Sequence, residues 1–218
     1  MSLPRRPLAV IFDMDGLLLD SETVYRDAML ETAAAERIDL PWSVIERMIG
    51  LPWVGSARVL AGHFGDGFDT EAFRIASTER FHAISDAGVC LKAGVIEMLD
   101  HLDGLALPRA ICTSSAPEAV RHHIGGHGLL DRFDAIVARG DYVNSKPQPE
   151  PFLVAAARLG IAPADCLALE DSHNGVRAAS SAGMMTIMVP DLLQATDEMH
   201  GLCVRIAGSL HEVRDLLA

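Results

Sequence analysis

Five short stretches of the chain are almost continuously apolar: Leu8–Phe12, Arg109–Cys112, Ala135–Ala138, Cys166–Leu169 and Met185–Val189. A strand with one face in water alternates apolar and polar side chains, so these runs predict strands buried on both faces, as in a parallel sheet. Between the later runs, apolar residues recur at helical spacing. Val95, Met98, Leu99 and Leu102 form one such stripe; Phe152, Ala155, Ala156 and Leu159 form a second before Gly160, and Val176, Ala179 and Ala182 a third before Gly183. Glycine directly after a stripe suits the left-handed residue that closes a helix. Strand and helix alternating with right-handed crossovers predict an α/β chain built on a doubly wound, Rossmann-like parallel sheet.

The spacing between the first two runs breaks that rhythm. About a hundred residues separate Phe12 from Arg109, where such folds use loops of roughly 2–6 residues. Much of the interval carries helical stripes: Val24, Ala28 and Ala35; Val44, Ile45, Met48 and Ile49; Val59 and Leu60; Phe73, Ala76 and Phe81. The pattern predicts an inserted all-helical cap subdomain over residues 22–86, with residues 1–21 and 87–218 forming the α/β core. Ser85-Asp86-Ala87-Gly88 is the expected position of one hinge.

Composition narrows the function. Of 218 residues, 50% are hydrophobic and 22% charged, which excludes a disordered or fibrous chain. A formal net charge of −12 repels nucleic-acid phosphates and anionic lipid, so neither is expected as a main partner. No apolar run approaches the ~18 residues of a membrane span, and the one from Pro7 to Phe12 is too short for a signal peptide. Cys90, Cys112, Cys166 and Cys203 form no CxxC pair, which is the pattern of reduced thiols and a cytoplasmic setting. A monomer is the expected state.

In open α/β sheets, ligands bind beyond the carboxyl ends of the strands. The first run ends Phe12-Asp13-Met14-Asp15-Gly16, and residues two apart in extended chain point to the same side. Asp13 and Asp15 can therefore share a small volume, either around a Mg²⁺ ion or as a nucleophile beside an acid; a capped turn is the plainer alternative. The second run ends Cys112-Thr113-Ser114, with Ser115-Ala116-Pro117-Glu118 next, a spacing that predicts a capping box at a helix start. Thr113 and Ser114 would then offer a hydroxyl and amides to a phosphate. Lys146 is one of only two lysines, the other being Lys92, and it stands in Ser145-Lys146-Pro147-Gln148-Pro149-Glu150-Pro151. Prolines fix the backbone there, and a rigidly held ammonium suits a phosphate or carboxylate. The fourth run ends Leu169-Glu170-Asp171-Ser172, two carboxylates just before a helix that Ser172 can cap. Oxygen ligands of this kind suit Mg²⁺ better than zinc.

Asp13-Met14-Asp15-Gly16, Thr113-Ser114, Lys146-Pro147 and Glu170-Asp171-Ser172 together resemble the four motifs of the haloacid dehalogenase superfamily. The longer runs from Phe12 to Glu22 and from Lys146 to Phe152 resemble its β-phosphoglucomutase-like phosphatase branch, which carries a helical cap after the first motif. The resemblance implies that Asp13 attacks phosphorus to give an aspartyl phosphate. Asp15 would protonate the leaving alcohol and then activate water. Asp13, the backbone carbonyl of Asp15 and Asp171, assisted by Glu170, would hold Mg²⁺, while Thr113, the Ser114 amide and Lys146 would bind the phosphoryl oxygens. The expected function is a Mg²⁺-dependent phosphatase of small phosphorylated metabolites, sugar phosphates in particular.

Within the family, a dehalogenase has no use for the second acid Asp15, and the phosphonate hydrolases need a cap lysine where residues 22–86 have none. The sugar-phosphate mutase is the nearest alternative, which the chain resembles throughout, but Ala116 replaces the lysine that enzyme carries after its Ser/Thr motif, and Tyr25, near Trp53, with nothing basic, stands where its cap is charged. A phospho-aspartate receiver switch is a remoter alternative, at odds with the inserted cap and with Asp15. His122, His123 and His127 stand beside Gly125, Gly126 and Gly128, which predicts a helix end rather than a metal site. His173 is expected at a helix start. Trp53 and Trp42 are candidates to line the cap's substrate face, with core packing equally consistent for Trp42.

Overall fold

Apolar runs become strands and apolar stripes become helices in the computed structural model, which describes residues 3–49, 51, 53–86 and 88–217. In chain order the elements are β1 (Ala9–Phe12), α1 (Ser21–Ala35), α2 (Trp42–Met48), α3 (Trp53–Phe64), α4 (Thr70–Ser85) and α5 (Val95–Gly104). There follow β2 (Arg109–Cys112), α6 (Pro117–Gly126), β3 (Ala135–Val137), α7 (Glu150–Leu159) and β4 (Cys166–Glu170). The chain ends with α8 (His173–Ser181), β5 (Met185–Met188), α9 (Asp197–Leu202), β6 (Arg205–Ile206) and α10 (Leu210–Leu216). Ala87, in the expected hinge, lies outside the described residues.

By contacts the chain divides into two compact units, Met1–Leu19 with Leu91–Ala218, and Asp20–Cys90. In the first, six parallel strands run in the order β3-β2-β1-β4-β5-β6. The chain winds outward from β1 through β2 to β3, then returns to the other side of β1 with β4. That reversal is the topological switch point at which the carboxyl ends of β1, β2 and β4 lie side by side. All residues of β1, β2 and β4 are buried, as near-continuous apolar strands require. Ala9 and Ile11 of β1 pack with Phe152, Ala155 and Ala156 of α7 and with Ala178 and Ala179 of α8. Phe12, one residue out of that phase, meets the edge of the Phe133 ring at 6.0 Å.

Helix ends follow local chemistry. Gly160 closes α7 at φ 68°, a conformation that costs a side-chain-bearing residue and not glycine. Ser172 caps α8 by accepting from the Gly175 amide at 3.1 Å. The capping box expected at Ser115 does not form. Ala116 is the N-cap of α6, without a side-chain cap bond, and Glu118 pairs with Arg121 at 2.7 Å instead. Pro117 in the first turn supplies a fixed φ and leaves no amide to satisfy there, which removes much of the need for a cap.

The second unit is all-helical. Its core joins Met29 and Ala33 of α1, Val44, Ile45 and Met48 of α2, Leu60 of α3 and Phe73 of α4. Trp53 and Tyr25 pack against that core, while Trp42 is 44% exposed. Arg74 stands over the Trp53 ring, 5.9 Å from its centroid.

Candidate active site

The site is built where β1, β2 and β4 end. β1 and β4 pair in register with Phe12 beside Leu169, and the Asp13 amide donates to the Leu169 carbonyl at 2.9 Å. Asp13, Glu170 and Asp171 therefore leave adjacent strands at one level. One carboxylate oxygen from each lies within 4.8 Å of the others, and all three residues are buried. After Asp13 the chain turns sharply: the Leu18 and Leu19 amides donate to the Met14 carbonyl, and Gly16 takes φ 80°. The turn keeps Asp15 beside the end of β2.

Lys146 reaches this point from the loop between β3 and α7. Its ammonium donates to Asp13 Oδ1 at 2.5 Å, to Glu170 Oε1 at 2.6 Å and to the Cys112 carbonyl at 2.9 Å. Its side chain is 7% exposed, and the ammonium also sits 4.9 Å from the centroid of the Phe152 ring. Burial works against this charge, but Asp13 and Glu170 outweigh it and hold the Lys146 pKa well above the ordinary lysine value. The supporting loop is braced by Glu150, which accepts from the Val143 and Asn144 amides at 2.9 and 2.8 Å.

The carboxylates outnumber this one cation. Burial pushes the Asp13 carboxyl well above its ordinary value; Lys146 opposes the push, and Glu170 and Asp15 add to it. Three carboxylates whose hard oxygen donors converge on one point fit a divalent cation such as Mg²⁺. Glu170 has a narrower part. It is fully buried, with Oε1 on Lys146 and Oε2 accepting from the Ser172 amide at 3.2 Å and hydroxyl at 3.0 Å. A Cβ on residue 175 would overlap this carboxylate, so the space for Glu170 exists because Gly175 has none.

Asp15 meets the other half of the site. Its Oδ2 accepts from the Ser115 hydroxyl at 2.6 Å and from the Thr113 hydroxyl at 3.4 Å. Ser114 is the outlying member of the expected set: it is exposed, with Tyr142 beside it. The Tyr142 hydroxyl in turn donates to the Thr113 carbonyl at 3.2 Å. Burial pushes the Cys112 thiol up to about 12, which disfavours the thiolate.

The sequence reading passed over Ser115, Gly175, Glu150 and Tyr142 as parts of the site. Ser115 was masked by its own capping pattern. Gly175 carried a signal, since glycine inside the first turn of a helix is costly without a reason of packing. His122 and His123 lie in the second half of α6 and His127 is its C-cap, followed by Gly128 at φ 69°, as a helix end and turn. His173 is the first residue of α8, and its Nε2–H donates to the Gln194 carbonyl at 2.9 Å.

Residues 7–183 match the family model of the haloacid dehalogenase-like hydrolases. A Drosophila melanogaster protein named "Probable pseudouridine-5'-phosphatase" is 37% identical over 202 residues, covering 86% of this chain and 83% of that protein. Hexitol phosphatase B of Escherichia coli is 32% identical, with 87% and 86% covered. Among solved structures, CbbY from Rhodobacter sphaeroides in complex with phosphate superposes with a TM-score of 0.76 at 28% identity, covering 95% of this chain and 96% of that one. With the motif-bearing strand ends brought together as described, the chain belongs to the haloacid dehalogenase-like hydrolase family, among its phosphoric monoester hydrolases.

Proposed function

We propose that the protein is a Mg²⁺-dependent phosphatase of small phosphorylated metabolites, sugar phosphates in particular, acting through an aspartyl phosphate on Asp13. The observation that carries this reading is the convergence of Asp13, Glu170 and Asp171 within 4.8 Å, with Lys146 on two of them. Relatives named as phosphatases of a nucleoside monophosphate and of a hexitol support the substrate class.

In this reading an oxygen of the Asp13 carboxylate attacks phosphorus as the bond from phosphorus to the ester oxygen breaks. Asp15 gives its proton to the departing alkoxide, so the alcohol leaves neutral. Water then attacks the phosphorus of the aspartyl phosphate, passes a proton back to Asp15, and frees Asp13 with inorganic phosphate. Lys146, the Thr113 hydroxyl and the Ser114 amide hold the phosphoryl oxygens. Mg²⁺ bound by Asp13, Asp171 and the Asp15 carbonyl, with Glu170 assisting, would neutralise charge on the phosphoryl group. Glu170 orients Lys146 from behind.

The division into a core of residues 1–21 and 87–218 and a substrate-selecting helical cap of residues 22–86 belongs to the same proposal, as do a cytoplasmic setting and a monomeric state. Among the described residues, no helix is long and apolar enough to cross a membrane.

The test is phosphate release with Mg²⁺ across a panel of sugar, nucleotide and short-acid monophosphates, with Asp13→Asn protein as blank. Release above the blank is expected, ranked by the alcohol. Isomerisation of β-glucose 1-phosphate without release would favour the mutase instead.

A further inference from the structure

We infer that Ser115 is a positioning residue for Asp15, holding the carboxyl that serves the leaving group, rather than the helix cap its sequence pattern describes. The inference rests on the proposed role of Asp15. Ser115 Oγ donates to Asp15 Oδ2 at 2.6 Å, a short bond of the charge-assisted kind, against 3.4 Å from Thr113 to the same oxygen. The hydroxyl is free of helix duty, because α6 begins at Pro117 with Ala116 as its N-cap. Its backbone is fixed on both sides. The Ser115 amide donates to Thr113 Oγ1 at 3.0 Å, and its carbonyl accepts from the Arg139 amide at 2.9 Å.

That anchoring gives the hydroxyl a use in catalysis. Asp15 stands just before Gly16 in a tight turn, and a carboxyl there has rotamers to choose among. One strong bond to Oδ2 selects among them at no cost at the moment of reaction. A hydroxyl both donates and accepts, so the same contact can survive the departure and return of the Asp15 proton. An alanine would keep the backbone bonds and lose only the hold on Asp15.

The experiment compares wild type, Ser115→Ala, Ser115→Thr and Asp15→Asn, with Mg²⁺, on phenyl phosphate and 4-nitrophenyl phosphate. Phenolate is the poorer leaving group and depends more on a delivered proton. Ser115→Ala should lose roughly tenfold more kcat on phenyl phosphate than on the nitrophenyl ester, with KM nearly unchanged. Ser115→Thr, which keeps the hydroxyl, should recover most of that loss, and thermal unfolding of Ser115→Ala should match wild type. Equal losses on both esters in Ser115→Ala, while Asp15→Asn discriminates between them, would overturn the inference and leave the role of Asp15 standing. Failure of Asp15→Asn itself to discriminate would remove the proton donor, and the inference with it.

Discussion

Glu170 and Gly175 share one space: the buried carboxylate of the first occupies the position a side chain on the second would take. Gly175→Ala must therefore move Glu170, and with it the bonds to Lys146 and Ser172. Overpacking of this kind costs about 1–3 kcal/mol. Denaturant unfolding should register that loss, and turnover should fall further than stability because Lys146 loses its backing. A variant with wild-type turnover would contradict the assignment of Glu170 as support for Lys146.

Lys146 balances Asp13 and Glu170, both buried, at 2.5 and 2.6 Å. Lys146→Met leaves two buried carboxylates facing each other without their cation, a change that costs on the order of 3–5 kcal/mol. Activity should vanish, and Mg²⁺ should raise the melting temperature of Lys146→Met by more than it raises that of wild type. An equal rise in both proteins would show that the ion and the ammonium do not neutralise the same carboxylates.

Metal removal has a stability signature independent of turnover. If Mg²⁺ binds only the folded chain, excess ion at 100 times its dissociation constant adds about 2.7 kcal/mol, and chelation takes it away reversibly. Asp171→Asn should lose this Mg²⁺-dependent shift, since Asp171 is one of the three clustered carboxylates. Full phosphate release in excess chelator would rule out the metal requirement.

Glu150 accepts from the Val143 and Asn144 amides and from the Asn144 side chain, and these bonds hold its carboxyl below the ordinary glutamate value. A depressed folded-state pKa stabilises above the unfolded value, and the benefit fades as pH falls through the folded one. Thermal unfolding of wild type and Glu150→Gln should therefore differ most at neutral pH and converge below the ordinary glutamate range. A gap that persists in acid would assign the effect to something other than the charge.

Much of this was readable in the sequence where burial is one-sided chemistry. β1, β2 and β4 are buried throughout and show as apolar runs, and the residues just past them carry the carboxylates and hydroxyls. β6 was missed because Arg205 and Ile206 are only half-buried and form no run. Ser115 was misread because Ser-x-x-Glu serves a helix cap and a tertiary contact equally well. Its partner Asp15 is 100 positions earlier in the chain, so only the sheet topology could decide between the two uses. Lys146 announced itself by rarity and prolines, but its two carboxylate partners come from strands that meet only in the folded core.

The central claim is that Asp13 carries the phosphoryl group. The most direct measurement is rapid acid quenching during turnover with Mg²⁺, followed by proteolysis and mass spectrometry of the peptide containing Asp13. The account predicts one phosphoryl group on Asp13, absent in Asp13→Asn and building up in Asp15→Asn, where loss to water is slowed. Turnover with no phosphoryl group on that peptide, or with the group on another residue, would contradict it.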